Sequence, residues 1–242
     1  MADESKRSAK SIGRVIGVLL LLQLAAGLTL PFILLRPSIV GYPGFLAAAA
    51  ENSLQIRSAV FIAFVGSALT VALAIAALPV FRRYSSATAH GFLAVCAISC
   101  TLDVVHNASV MSMLSLSQRY LEAGASDAGL YQPLAAVVAS TRRWAHYTQL
   151  AAIGAWIFVF YSSLWRFRLV PRALASLGLI GILLQFTGVT LLTFLGYSQE
   201  GRMAMPLGPI HVAVAAWLMA KGFAGASPRT GVVDRVDEPH AA

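Results

Sequence analysis

AVFIAFVGSALTVALAIAALPVF, residues 59–81, runs for 23 residues without one charged side chain. At 1.5 Å per residue a helix of that length covers about 35 Å, enough to cross a hydrocarbon core of about 30 Å. Only a closed barrel or a helix satisfies its own backbone in lipid, and a continuous apolar run lacks the alternation of a barrel strand. The stretch therefore reads as a transmembrane helix.

Working outward, five more runs of this kind appear, at residues 15–35, 89–117, 144–165, 173–195 and 207–223. The last is the shortest and opens with Pro206 and Pro209, which a helix tolerates in its first turn because those N–H groups would be unbonded anyway. The totals agree: 58% of the 242 residues are hydrophobic and only 12% charged, against about 25% charged in an ordinary soluble domain. The expected class is all-α, a polytopic membrane bundle of six transmembrane helices. Residues 12–224 form its single domain, between disordered segments at 1–11 and 225–242. The first run follows the basic stretch KRSAKSIGR, as a secretory signal would, but its length of about 20 exceeds the usual 7 to 15 apolar residues, so it reads as a retained helix.

An even number of passes leaves both termini on one side. Twelve of the 18 Lys and Arg residues lie on that side, among them Lys6, Arg7, Arg82, Arg83, Arg166, Arg168 and Lys221, and six on the other: Arg36, Arg57, Arg119, Arg142, Arg143 and Arg202. The excess of basic residues marks the cytoplasmic face. Both termini are expected in the cytoplasm of a multi-pass plasma-membrane protein. The net charge of +8 is thus topological, and nucleic acid is not an expected partner; the bilayer is. Cys96 and Cys100 share one helix and cannot staple separate segments. Two external segments carry short helices of their own: 36–57, expected as an interfacial helix, and the stretch YQPLAAVVAS at 131–140, expected to lead into the fourth span through a bend near Arg142. No internal repeat is visible, which counts against an inverted-repeat carrier.

The opening GRVIGVLLLLQLAAG, the RLVPRALASLGLIGILLQFTG segment at 168–188 and the closing AVAAWLMAKGF at 213–223 resemble the bacterial membrane proteins of domain of unknown function family 4386. The resemblance covers residues 12–223. It implies fold and location and carries no catalytic signature.

Within the apolar runs the polar side chains are few. Asp103 falls at the midpoint of the third run, in CTLDVVHNASVM, and an acid in hydrocarbon costs about 2.5 kcal/mol or more unless it is partnered. His106 and Asn107 lie one turn further on, at the i+3 and i+4 positions that share a helix face with it. Gln23 and Gln185 sit near the middles of the first and fifth runs, His146 and Gln149 on the fourth, and His211 near the outer end of the sixth. Arg142 and Arg143 stand at the boundary of the fourth run. Together these suggest a polar pocket opening outward.

Two roles fit Asp103. It is a proton carrier or general acid with His106 as its proton partner, while Asn107, Arg142, Arg143, His146, Gln149, Gln185, His211 and Gln23 line a ligand site; or it is held by a neighbouring helix and locks the bundle. The three histidines match no metal spacing, so no metal is expected, and no cofactor signature is present. Three functions follow: binding or proton-coupled translocation of a lipophilic or weakly anionic small molecule; an intramembrane enzyme acting on an isoprenoid or lipid; or a structural or regulatory subunit. Gly13 with Gly17, and Gly178 with Gly181, read as helix-packing surfaces.

Overall fold

The computed structural model describes residues 2–124, 128–198 and 200–224, with side chains from residue 10. Six helices among these are long and apolar enough to cross a membrane. In chain order they are α1 (Ala2–Thr29, prolonged by a π-helical turn Leu30–Leu34), α4 (Ser53–Phe81), α5 (Ser86–Ala123), α6 (Ala128–Arg166), α7 (Arg172–Gln185, prolonged by a π-helical segment Phe186–Leu191 and α8, Leu192–Phe194), and α9 (Leu207–Lys221, preceded by a 3-10 turn, Gly201–Ala204). Two short helices, α2 (Pro37–Val40) and α3 (Phe45–Glu51), connect α1 to α4.

Each span packs on its neighbours in sequence, α1 on α4, α4 on α5, α5 on α6, α6 on α7 and α7 on α9, and α9 returns to α1. The six spans make a ring. Small residues allow its closure: a Cβ on Gly13 would lie 2.7 Å from the backbone nitrogen of Phe223, and one on Gly17 would lie 2.7 Å from the carbonyl of Ala215. Gly222, at φ 70°, ends α9 with its N–H on Leu218 and its own Cα against Lys10.

The ring is filled unevenly. Towards the face where the termini lie, one cluster joins all six spans through Ile16, Leu20, Leu73, Phe81, Phe92, Phe160, Leu164, Ile182 and Leu218. Tyr161 lies within it against Gly178, where the aromatic ring occupies the place a Cβ would take. On the opposite, distal side a second cluster draws only on α4, α5 and α6 with α2 and α3: Ile39, Phe45, Leu46, Val60, Val110, Met113 and Ala135.

Here three expectations need correction. The segment 36–57 is not one helix lying on lipid; its two short helices fold onto the distal part of α5. Buried Ser117 fixes them, donating to Leu46 O at 2.7 Å and accepting from Ala50 N–H at 2.8 Å. Nor is there a break near Arg142: α6 is a single helix of 39 residues beside the 38 of α5. At 1.5 Å per residue each is about 57 Å long, and their mutual packing and the α2–α3 cover shelter the part beyond a 30 Å core. Finally, α1 is helical from Ala2, where an unstructured segment to residue 11 was expected; residues 2–10 hold neither Gly nor Pro, and a helix once nucleated extends cheaply. The expected disordered tail, 225–242, lies outside the described residues.

Two glycines on one helix give a test of this packing. Gly178→Ala drives a methyl into the Tyr161 ring and is expected to destabilise by about 1 to 3 kcal/mol. Gly181→Ala meets the flexible ends of Leu207 and Ile210 at 3.2 and 3.3 Å, with the Leu207 Cα at an ordinary contact distance of 3.5 Å, and is expected to cost well under half as much. Unfolding midpoints in mixed micelles measure both, and equal losses would contradict the packing described. Sidedness is checked separately by single cysteines in a background lacking Cys96 and Cys100. A cysteine at Glu122 should react with an impermeant maleimide on intact cells, and one at Arg82 only after permeabilisation.

Candidate functional site

The site starts from Asp103. A carboxylate in the middle of a span needs donors from other helices, since its own helix has spent its N–H groups on the i−4 carbonyls. Two neighbours supply them. Ser67 on α4 donates from Oγ to Oδ2 at 2.6 Å, and Gln149 on α6 donates from Nε2 to Oδ1. One carboxyl thus ties three consecutive spans.

The tie extends sideways. Gln149 presents its carbonyl Oε1 to His146 Nδ1 at 3.3 Å, and His146 lies with its ring centroid 5.0 Å from that of His106 on α5. On α6, Arg142, His146 and Gln149 form an i, i+4, i+7 stripe facing the Asp103 and His106 side of α5. Arg142 is near enough for its charge to act on both imidazoles. Three buried donors of this region have no hydrogen-bond partner among the described residues: His106 Nε2, Asn107 Nδ2 and Arg142 Nε. Asn107 is 2% exposed and His106 7%.

Of the candidate residues, Asp103, His106, His146 and Gln149 are in contact, with Arg142 and Asn107 alongside. Arg143 is not part of the group; it follows Arg142 by one position, about 100° around the helix, and is exposed. Gln23 is adjacent but separately engaged, donating to Thr70 Oγ1 on α4 at 2.5 Å, one turn from Ser67. Gln185 is buried near Gly154 with Oε1 unpartnered. His211 lies elsewhere, bonded to Tyr161 at 3.1 Å. Tyr161 is 12 residues beyond Gln149 on α6, about 18 Å along the axis. His211 therefore belongs to the core at the other end, because α9 starts deeper than its proline-led sequence suggests.

The two best-defined clefts among the described residues do not open onto Asp103. Both are shallow and open, one along Ala108, Ser112, Ser115 and Arg119, the other along Leu34, Arg36, Glu51 and Gln55. Each Asp103 oxygen accepts one bond, Oδ2 from α4 and Oδ1 from α6. No group of three or more metal-ligating side chains exists among the described residues.

Sequence reasoning missed Ser67 and Thr70. Each is a small hydroxyl that can bond its own i−4 carbonyl, Ser67 to Ala63 at 3.1 Å and Thr70 to Gly66 at 3.2 Å, so neither marks a run as polar. The signal was their i, i+3 spacing at the centre of a charge-free span.

Removing one partner strands a half-buried acceptor. Ser67→Ala is expected to cost about 1 to 3 kcal/mol when Asp103 is present, and much less in an Asp103→Ala background. A double-mutant cycle on unfolding free energies reads the coupling; strict additivity would contradict the bond.

In comparison with known proteins, the family model described as Domain of unknown function (DUF4386) matches residues 15–222. No curated protein matches the chain, and no solved structure does.

Proposed function

The chain belongs to the Domain of unknown function (DUF4386) family, and we propose that it is a membrane protein that binds and translocates a lipophilic or weakly anionic small molecule in exchange with a proton held by Asp103. One observation carries this reading: Ser67 Oγ has two acceptors in reach, Asp103 Oδ2 at 2.6 Å and Ala63 O at 3.1 Å. When Asp103 is ionised, the hydroxyl proton points to the carboxylate. When Asp103 is protonated, its own O–H donates to Ser67 Oγ and the hydroxyl turns to Ala63 O, while Gln149 still donates to Oδ1. The carboxyl has a complete set of partners in both states.

That property matters because an unpaired polar atom in such a site costs about 1 to 3 kcal/mol. A purely structural carboxyl needs partners in one state only; a proton carrier needs them in two. His106 and His146 titrate in the same cluster, so a pH change alone does not isolate Asp103.

The structural reading has an observation of its own, the bonds that both carboxyl oxygens accept from neighbouring helices, and makes Asp103 a lock between α4, α5 and α6. Counting protons separates carrier from lock. Purified protein and its Asp103→Asn variant are titrated between acid and neutral pH, and the wild type is expected to take up one proton more. Coincident curves would leave only the lock.

A further inference from the structure

Three buried nitrogens of this cluster, on α5 and α6, have no partner among the described residues, and two of them can only donate. Arg142 Nε and Asn107 Nδ2 are obligate donors, and His106 Nε2 becomes one in the tautomer or charge state that protonates it. Three acceptors of the cluster are already committed: both Asp103 oxygens to Ser67 and Gln149, and Gln149 Oε1 to His146. The side chains acting most strongly on the Arg142 charge are Arg143, a like charge, and Tyr147. Among the described residues, the region has a surplus of donors and one guanidinium without a carboxylate paired to it.

We propose that the His106, Asn107 and Arg142 donors form a binding site for the carboxylate group of a small monocarboxylic acid, a ligand class that specifies the proposed translocation reading and rests on it. Three features select that class. A guanidinium approached side-on offers Nε and one Nη in the fork that matches two carboxylate oxygens. The buried Nε is the member of that fork facing the protein interior. One fixed positive charge balances one negative charge, whereas a phosphate dianion would remain half compensated in a weakly polar site. His106 and Asn107, at 7% and 2% exposure, are too deeply placed for bulk water to serve their donors.

The side chains around this site come from two helices. From α5 come Asp103, His106 and Asn107, and from α6 Arg142, His146, Tyr147 and Gln149; Arg143, next to Arg142, is exposed. An acid can come from water or from the bilayer, and chain length separates the sources.

The test uses the full chain in nanodiscs of uncharged lipid and follows thermal unfolding with added butyrate, decanoate, decanol or inorganic phosphate. Decanoate or butyrate should raise the midpoint saturably, by at least about 3 °C at high occupancy. A larger effect from decanoate at lower concentration supports a bilayer-derived acid, and comparable effects support an aqueous one. The shift should persist in Arg143→Gln and vanish in Arg142→Gln; Asn107→Leu, which keeps size and removes the donor, should weaken apparent affinity about tenfold and covers the case in which Arg142→Gln does not fold. No shift with either acid, an equal shift with decanol, a shift with phosphate instead, or equal loss in Arg143→Gln would each overturn the proposal. Failure here leaves the proton count of Asp103 unchanged, and coincident proton titrations leave carboxylate binding intact, so the two readings fall separately.

Discussion

A carboxyl at the centre of a membrane span has to find donors on other helices, and the bond from Ser67 together with the bond from Gln149 to Asp103 is the constraint on which the distal half of this structure depends. Apolar packing offers little reason for one lipid-exposed helix to prefer another, since lipid tails are as apolar as leucine. A polar atom changes that. Separating α4 or α6 from α5 would leave an acceptor in hydrocarbon, so the carboxyl fixes the rotation and depth of both against it.

The rest of the ring follows a different rule. Towards the terminal face, close packing closes the circle: glycines at 13, 17 and 222 bring α1 and α9 together, and Gly178 makes room for Tyr161. Distally the apolar cluster narrows to α4, α5 and α6 with the α2–α3 cover. Asp103 and its partners stand between the two regions. The polar cluster thus lies where apolar packing gives way, and both readings of the site, carrier and lock, use that position.

Much of the fold was legible because hydrocarbon imposes a simple length rule. Six runs of about 20 apolar residues became six spans, and their ends shifted only where helices continue into polar sequence, as in α1, α5 and α6. The continuation of α6 through Arg142 was missed because a single rod over 133–165, about 50 Å long, exceeds a core of about 30 Å, while the shelter that allows it comes from α5, α2 and α3. Asp103 stood out because a charge in an apolar run is conspicuous. Its partner Gln149 was visible too, as an amide on a facing span, but Ser67 was not, because a serine in a helix hides its hydroxyl on its own backbone. His211 was grouped with the cluster from its place near the outer end of its run, but it bonds Tyr161 in the core instead, and Arg143 was grouped with Arg142 although adjacent residues point about 100° apart.

The central claim is that one carboxyl, bonded to both Ser67 and Gln149, can hold a proton without losing either partner. Infrared difference spectroscopy between acid and neutral pH observes this directly, with the Asp103→Asn spectrum subtracted to isolate the carboxyl. The expected result is a protonated C=O band belonging to Asp103 that shifts in Ser67→Ala and shifts again, by a different amount, in Gln149→Leu. A band indifferent to both substitutions, or no Asp103 band at all, would contradict the account.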